Sequence, residues 1–259
     1  MENSIKVVSI VGPTASGKTK LSVELAKHFN GEIVSADSMQ IYSGMQIATA
    51  KPTKAEMDGV PHHMMGFLPP DKTYSVASYV NDASKCIADI HSRGMLPFIV
   101  GGTGLYVDSL LNNISFSDDK RDEEYCSKLR KIGEEDGTDR LLDMLSEFDP
   151  ESAQRLREGR NIKRIIRAIE FYKTTGKTIT EQIKESHNIP SPYSAVKLGL
   201  NCRDRQVLYD RINRRVDIML DEGLLEEAQR VINSELSYTS VKAIGYKELI
   251  PYFKGSKSL

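Results

Sequence analysis

Short apolar runs and helical stripes alternate over the first third of the chain. Ile5, Val7, Val8, Ile10 and Val11 form the near-continuous run of a strand covered on both faces. Leu21, Leu25, Ala26 and Phe29 then recur at helical spacing. Glu32 to Ala36 predicts a second short strand, while Ile41 to Phe67 shows little periodicity and predicts mostly loop, suited to a lid. Tyr79, Val80, Ala83, Ile87 and Ile90 mark a helix from Val76 that Arg93-Gly94 stops. Leu96 to Val100 predicts another strand, with a helix over Leu105 to Leu111 behind it.

Between about Asn113 and Tyr193 the strand signals vanish and about four helical segments follow one another. Asp149-Pro150 supplies an N-cap with proline at the first helical position, and Thr178 with Glu181 makes a capping box. Ile162, Ile165, Ile166 and Ile169 form one apolar stripe. Strand character returns at Ala195 to Asn201. A helix with apolar Leu208, Ile212, Met219 and Leu220 follows, then short helices around Leu224 to Asn233 and Val241 to Phe253. The pattern predicts an α/β fold: a parallel sheet flanked by helices over residues 1–112 and 194–259, with an all-helical subdomain inserted at residues 113–193.

Composition narrows the setting. A hydrophobic fraction of 39% in 259 residues supports a sizeable core, and the formal charge of -1 carries no partner signal until the basic residues are located. Cys86, Cys126 and Cys202 fit neither a disulfide framework nor zinc-ligand spacing. No apolar stretch reaches membrane-span length, and the N-terminus leads straight into a strand without a signal peptide, so a cytoplasmic protein is expected.

The chemistry begins where the first strand ends. Gly12-Pro13-Thr14-Ala15-Ser16-Gly17-Lys18-Thr19 has the spacing of a phosphate-binding loop. Its backbone amides wrap a phosphate, Lys18 reaches the outer oxygens and Thr19 offers a hydroxyl to Mg²⁺. The second strand runs into Asp37-Ser38-Met39-Gln40, which puts a carboxylate where ligands gather in open α/β sheets. Gly101-Gly102-Thr103-Gly104 is a further glycine-rich turn at a strand end. The adjacent His62 and His63 diverge and have no Cys or second His pair nearby, so a structural role is expected of them. Arg155, Arg157, Arg160, Lys163, Arg164 and Arg167 make a basic ridge with Glu158 and Glu170 as its acidic neighbours, which points to phosphate-backbone contact. Arg205, Arg211, Arg214 and Arg215 line a later helix, Arg211 and Arg215 sharing a face, and planar guanidiniums suit a pyrophosphate clamp.

Read together, GPTASGKT, DSMQIYSGM, TAKPT, PHHM, VGGTGLYVDSLL, RNIKRIIRAIE, LYDRINRRVDIMLDEGLLEEA and AIGYKEL resemble the tRNA dimethylallyltransferase, or tRNA isopentenyltransferase, family from Val11 to about Leu249. The resemblance implies a P-loop NTPase-like catalytic core that holds dimethylallyl pyrophosphate with Mg²⁺. The implied acceptor is the N6 amine of the adenosine 3′ of the anticodon, in the anticodon arm of a tRNA. A monomer is expected. The resemblance also implies that Gly12 and Thr14 to Thr19 hold the pyrophosphate with Arg205 or Arg211, and that Asp37 is the base with Ser38, Met39 and Gln40 alongside. Thr103 would hydrogen-bond the adenine, and Lys163, Arg164, Ile165, Ile166 and Arg167 would touch tRNA. Ala48 replaces a usual glycine, Arg157-Glu158-Gly159-Arg160 replaces a His-Pro-Asn element, and the family pattern continues into an Arg- and Trp-containing helix that the sequence to Leu259 does not include. Residues alone also admit a small-molecule kinase using the loop for ATP, and an RNA-binding nucleotide switch.

Overall fold

The computed structural model describes residues 4–114, 122–187, 189–237, 240 and 243–259. The chain divides into two compact units, Met1–Leu111 with Ser191–Leu259, and Asn112–Pro190.

The first unit is built on a wholly parallel sheet of order β3-β2-β4-β1-β5. In chain order it comprises β1 (Ile5–Val11), α1 (Lys18–His28), β2 (Gly31–Ser35), α2 (Lys54–Met57), β3 (His62–His63), α3 (Val76–Ser92), β4 (Leu96–Gly101) and α4 (Gly104–Leu111). Strand side chains alternate between faces. Ile10, Ile33, Phe98 and Val100 pack with Val23 and Ala26 of α1 on one side, while Val7, Val34 and Ile99 pack with Tyr79, Ala83 and Ile87 of α3 and Leu110 of α4 on the other. Burying each such side chain contributes roughly 1.5–3 kcal/mol. β3, within the stretch expected to be loop, is a two-residue strand held against β2 by Ile33↔His62 and Val34↔His63. So short a strand has no periodicity to reveal it.

The histidines serve this sheet end. His62 Nδ1 lies 2.8 Å from the Val60 carbonyl, and His63 Nε2 lies 2.7 Å from Glu32. Arg93 donates to both Glu32 oxygens at 2.6 and 2.7 Å and also to Asp89. The Arg93 guanidinium, helped by His63 and opposed by burial, holds the Glu32 carboxyl at about 2, below its ordinary 4.5. Because the folded value lies below the unfolded one, Glu32 stabilises the fold above pH 4.5, and that contribution is lost as pH falls toward 2. Urea midpoints measured across this window should fall for the parent and fall less steeply for Glu32→Gln; identical slopes would count against the network.

The second unit holds five helices among its described residues: α5 (Glu123–Glu135), α6 (Thr138–Ser146), α7 (Pro150–Arg157), α8 (Ile162–Thr175) and α9 (Ile179–His187). Leu129, Leu141, Leu142, Leu145, Ile165, Ile166 and Ile169 belong to their common core. The Asp149 cap does more than begin α7. It accepts from Ser152 N–H at 3.0 Å and from the Thr180 hydroxyl at 2.6 Å, joining α7 to α9. Thr178 and Glu181 exchange the two bonds of a capping box.

The chain returns to the first unit as β5 (Tyr193–Gly199), paired in parallel with β1 from Ile5↔Tyr193 to Val11↔Gly199. α10 (Arg205–Asp221), α11 (Leu224–Ile232) and α12 (Ile250–Phe253) complete it. Val241, where the sequence places the start of the last helix, lies outside the described residues.

Candidate active site

β1 delivers the chain into the phosphate-binding loop. Gly12 is needed there, since a Cβ would stand 2.6 Å from the Leu200 carbonyl oxygen. Ala15 takes a positive φ of 61°, and Gly17 caps α1 without offering a side-chain acceptor. The first amides of α1 are therefore left for a ligand, and its first turn carries no acid, the condition for an anion site at a helix N-terminus. Lys18 folds back over the loop, donating to the Gly12 and Pro13 carbonyls at 2.9 and 2.7 Å. Burial lowers its pKa from the ordinary 10.5, with Asp37 opposing and Arg215 adding to the effect. The Ser16 hydroxyl is buried with no hydrogen-bond partner among the described residues.

The turns after β2 and β4 lock together beside this loop. Gly101 lies so close to the end of β2 that a Cβ would come within 2.2 Å of the Ala36 carbonyl oxygen. Thr103 N–H donates to that oxygen at 3.1 Å, and its hydroxyl accepts from Ser38 N–H at 3.1 Å. Asp37 Oδ1 accepts from Met39 and Gln40 N–H at 2.9 and 3.3 Å, which leaves Oδ2 outside the turn's own hydrogen bonds. Gln40 is engaged at both ends: Oε1 accepts from Ser35, and Nε2 donates to Thr49 and Ala50 carbonyls at 3.3 and 3.1 Å.

These pieces open onto one cavity of about 1220 Å³, lined by Thr14 to Thr19, Asp37 to Gln40, the loop Gln46 to Thr53, and Arg211 and Arg215. Gly12, Thr103 and Arg205 are not among the lining residues. For Arg205 the reason is its place on α10. It lies about 120° round the helix from Arg211, whereas Arg215 lies about 40° from it. Arg215, half-buried, donates to the Ala50 carbonyl at 3.4 Å, and burial lowers its pKa. Its four-residue spacing from Arg211 was the available signal. Lys51, a buried lysine on the cavity wall, donates to the Tyr42 carbonyl at 2.7 Å and gave no signal beyond its motif.

In the helical unit the expected ridge is thinner than the sequence implies. Ile165 and Ile166 are 0% and 2% exposed and belong to the core, so they are corrected from ligand contacts to packing residues. The apolar stripe of α8 points inward and carries both with it. Arg167 pairs with the buried Glu170 and lies 5.6 Å over the Phe171 ring, and Arg160 pairs with Asp139. Lys163 and Arg164 are exposed and, among the described residues, have no acidic partner.

A parallel sheet in which β1, next to the edge strand β5, feeds a Gly-x4-Gly-Lys-Thr loop, with a carboxylate turn at the end of β2 on the far side of β4, defines a P-loop protein built to hold a phosphorylated ligand. The family pattern for IPP transferase matches residues 40–259, and that for isopentenyl transferase matches residues 5–65. A tRNA dimethylallyltransferase of Halalkalibacterium halodurans is 49% identical over 98% of this chain and 81% of its own. One from Caldanaerobacter subterraneus is 48% identical over 99% and 82%. The crystal structure of a tRNA isopentenylpyrophosphate transferase from Bacillus halodurans superposes with a TM-score of 0.67 at 46% identity, covering 98% of this chain and 79% of that one. A eukaryotic dimethylallyltransferase solved acting on tRNA gives a TM-score of 0.78 at 30% identity, covering 97% and 64%. The chain belongs to the IPP transferase family of prenyltransferases. No described helix is long and apolar enough to cross a membrane.

Proposed function

We propose that this chain transfers the dimethylallyl group of dimethylallyl pyrophosphate to the N6 amine of the adenosine 3′ of the anticodon in tRNA, acting as a monomer in the cytoplasm. The observation that carries the reading is the convergence of the phosphate loop, Asp37 and two arginines on one cavity in a chain of this family.

The residues divide the work by charge. As the allylic C1–O bond breaks, its electron pair goes to the pyrophosphate, so catalysis requires cations and N–H donors around the leaving group. Gly12, Thr14 to Thr19, Arg211 and Arg215 supply them. The N6 lone pair forms the new C–N bond, and Asp37 accepts the amine proton. Thr103 holds Ser38 and so the shape of the Asp37 turn.

Mg²⁺ fits the donors present. No cluster of three His, Cys, Asp or Glu side chains occurs among the described residues, whereas the Thr19 hydroxyl lines the cavity. Mg²⁺ is commonly held by few protein groups together with substrate phosphates and water. Thr19 would hold it, and when bound it would neutralise charge on the leaving group. Unmodified tRNA incubated with the chain, Mg²⁺ and dimethylallyl pyrophosphate should yield adenosine heavier by one C5H8 unit on nucleoside mass analysis. Phosphorylated product from ATP with no gain from the allylic donor would overturn the reading.

In this reading Lys163 and Arg164 meet the tRNA backbone, because they are exposed and have no acidic partner among the described residues, while Arg167 is already engaged by Glu170. Lys163→Ala and Arg164→Ala should each reduce the slope of log affinity against log salt by roughly 0.7 to 0.9, and Arg167→Ala by less. An unchanged slope in the Lys163/Arg164 double variant would remove these residues from the interface.

A further inference from the structure

Glu227 occupies a position where an apolar residue would be expected. On α11 it shares a face with Leu224, Ala228 and Val231, and it is only 4% exposed. Its carboxylate faces the loop that lines the cavity. Oε2 accepts from Gln46 N–H at 2.8 Å and Ile47 N–H at 3.0 Å; Oε1 accepts from Ile47 N–H at 2.8 Å, Ala48 N–H at 3.1 Å and the Tyr246 hydroxyl at 2.9 Å. Three successive amides converging on one carboxylate form the backbone concavity that usually receives an external anion. Here the chain supplies the anion itself.

The other side of the loop continues the connection. The Thr49 and Ala50 carbonyls hold Gln40 Nε2, and Gln40 closes the turn that carries Asp37. The Ala50 carbonyl also receives Arg215. Cross-links within the loop make it stiff enough to transmit position: Lys51 N–H to the Gln46 carbonyl at 3.1 Å, Gln46 Nε2 to the Lys51 carbonyl at 3.1 Å, and the Thr49 hydroxyl to the Met45 carbonyl at 2.6 Å. α11 is itself anchored, since Ala228 and Val231 pack with Ile41, Tyr42, Met45 and Tyr246.

We infer that Glu227 is a positioning residue for the transfer reaction, holding the Gln46–Ala48 amides so that the Thr49 and Ala50 carbonyls fix Gln40 and, through it, the Asp37 turn. The inference rests on the proposed role of Asp37. It assigns α11 and Tyr246, which line no reacting atom, a part in the rate.

Glu227→Gln keeps the shape and one acceptor but turns an NH2 group toward the amide donors. It should lower kcat about tenfold to a hundredfold, as small misplacements of reacting groups do, with KM for dimethylallyl pyrophosphate changed less than about twofold. Inorganic pyrophosphate binding should be unchanged, and amide exchange at Gln46 to Ala48 should accelerate while α1 keeps its protection. Combined with Gln40→Leu, the loss should be smaller than the product of the single losses, because both act along one path. Tyr246→Phe removes one donor and leaves the three amides, so it should lower kcat by about twofold to fivefold. It carries the test if Glu227→Gln does not fold. A kcat within about twofold of the parent with exchange accelerated, fully multiplicative losses in the double variant, or an unfolded Glu227→Gln beside an unaltered Tyr246→Phe would each overturn the inference. Product formation by the parent is measured first in the same assay. A failure of the functional reading shows there, and a failure of the inference shows only in the ratio of variant to parent.

Discussion

Asp37→Asn should lower kcat by roughly 10² to 10⁴ while leaving tRNA affinity nearly unchanged. The exocyclic amine attacks poorly because its lone pair is drawn into the adenine ring, so its proton must be taken as the C–N bond forms. Asparagine retains an oxygen for the Met39 and Gln40 amides that Oδ1 now holds, and the turn should survive. What is lost is Oδ2 as a proton acceptor. Single-turnover rates at saturating substrates read this directly. A loss of less than about tenfold would mean that Asp37 orients the amine while the proton leaves by another route, with the pyrophosphate as the available acceptor.

Lys18→Ala should reduce kcat/KM by about 1.5 to 3 kcal/mol, the contribution of a charge-assisted contact. The ammonium is already placed by the Gly12 and Pro13 carbonyls, so little ordering remains to be done when the pyrophosphate arrives. Burial makes that ammonium less favourable than in water, and the anion relieves the disadvantage. The loss should appear in both donor binding and rate. Full donor affinity in the variant, measured by titration calorimetry with Mg²⁺ present, would show that the amides and arginines hold the pyrophosphate without Lys18.

The sequence displayed those features whose signals are local. Strand, phosphate loop and helix follow one another between Ile5 and His28 in an order that identifies the site before any tertiary contact is known. The Asp149 cap and the Thr178–Glu181 box are likewise local and stand where the spacing puts them. Features that depend on distant partners were not legible. Glu227 reads as one acid among several in Leu-Leu-Glu-Glu-Ala, and only the fold brings it to amides some 180 positions away. Arg215 differs from Arg205 in helical phase and in lying about 15 Å further along α10, relative to a cavity that sequence does not show. Ile165 and Ile166 fall within the motif stretch that the family resemblance carries to tRNA, although their own periodicity assigns them to the core.

The pairing of β5 with β1 also bears on the order in which the chain can be assembled. β1 precedes β4 in the chain and gains it as a neighbour once residue 101 exists, but its other edge has no partner until Tyr193–Gly199 is made. Between those moments the ribosome produces the whole of Asn112–Pro190, which has its own core. At about 5–20 residues per second, the strand bearing the phosphate loop waits several seconds with an open, apolar edge. An unpaired strand edge is a template for association with other chains. For a nascent chain of this topology, the interval before residue 199 is therefore the period of greatest exposure to misassembly.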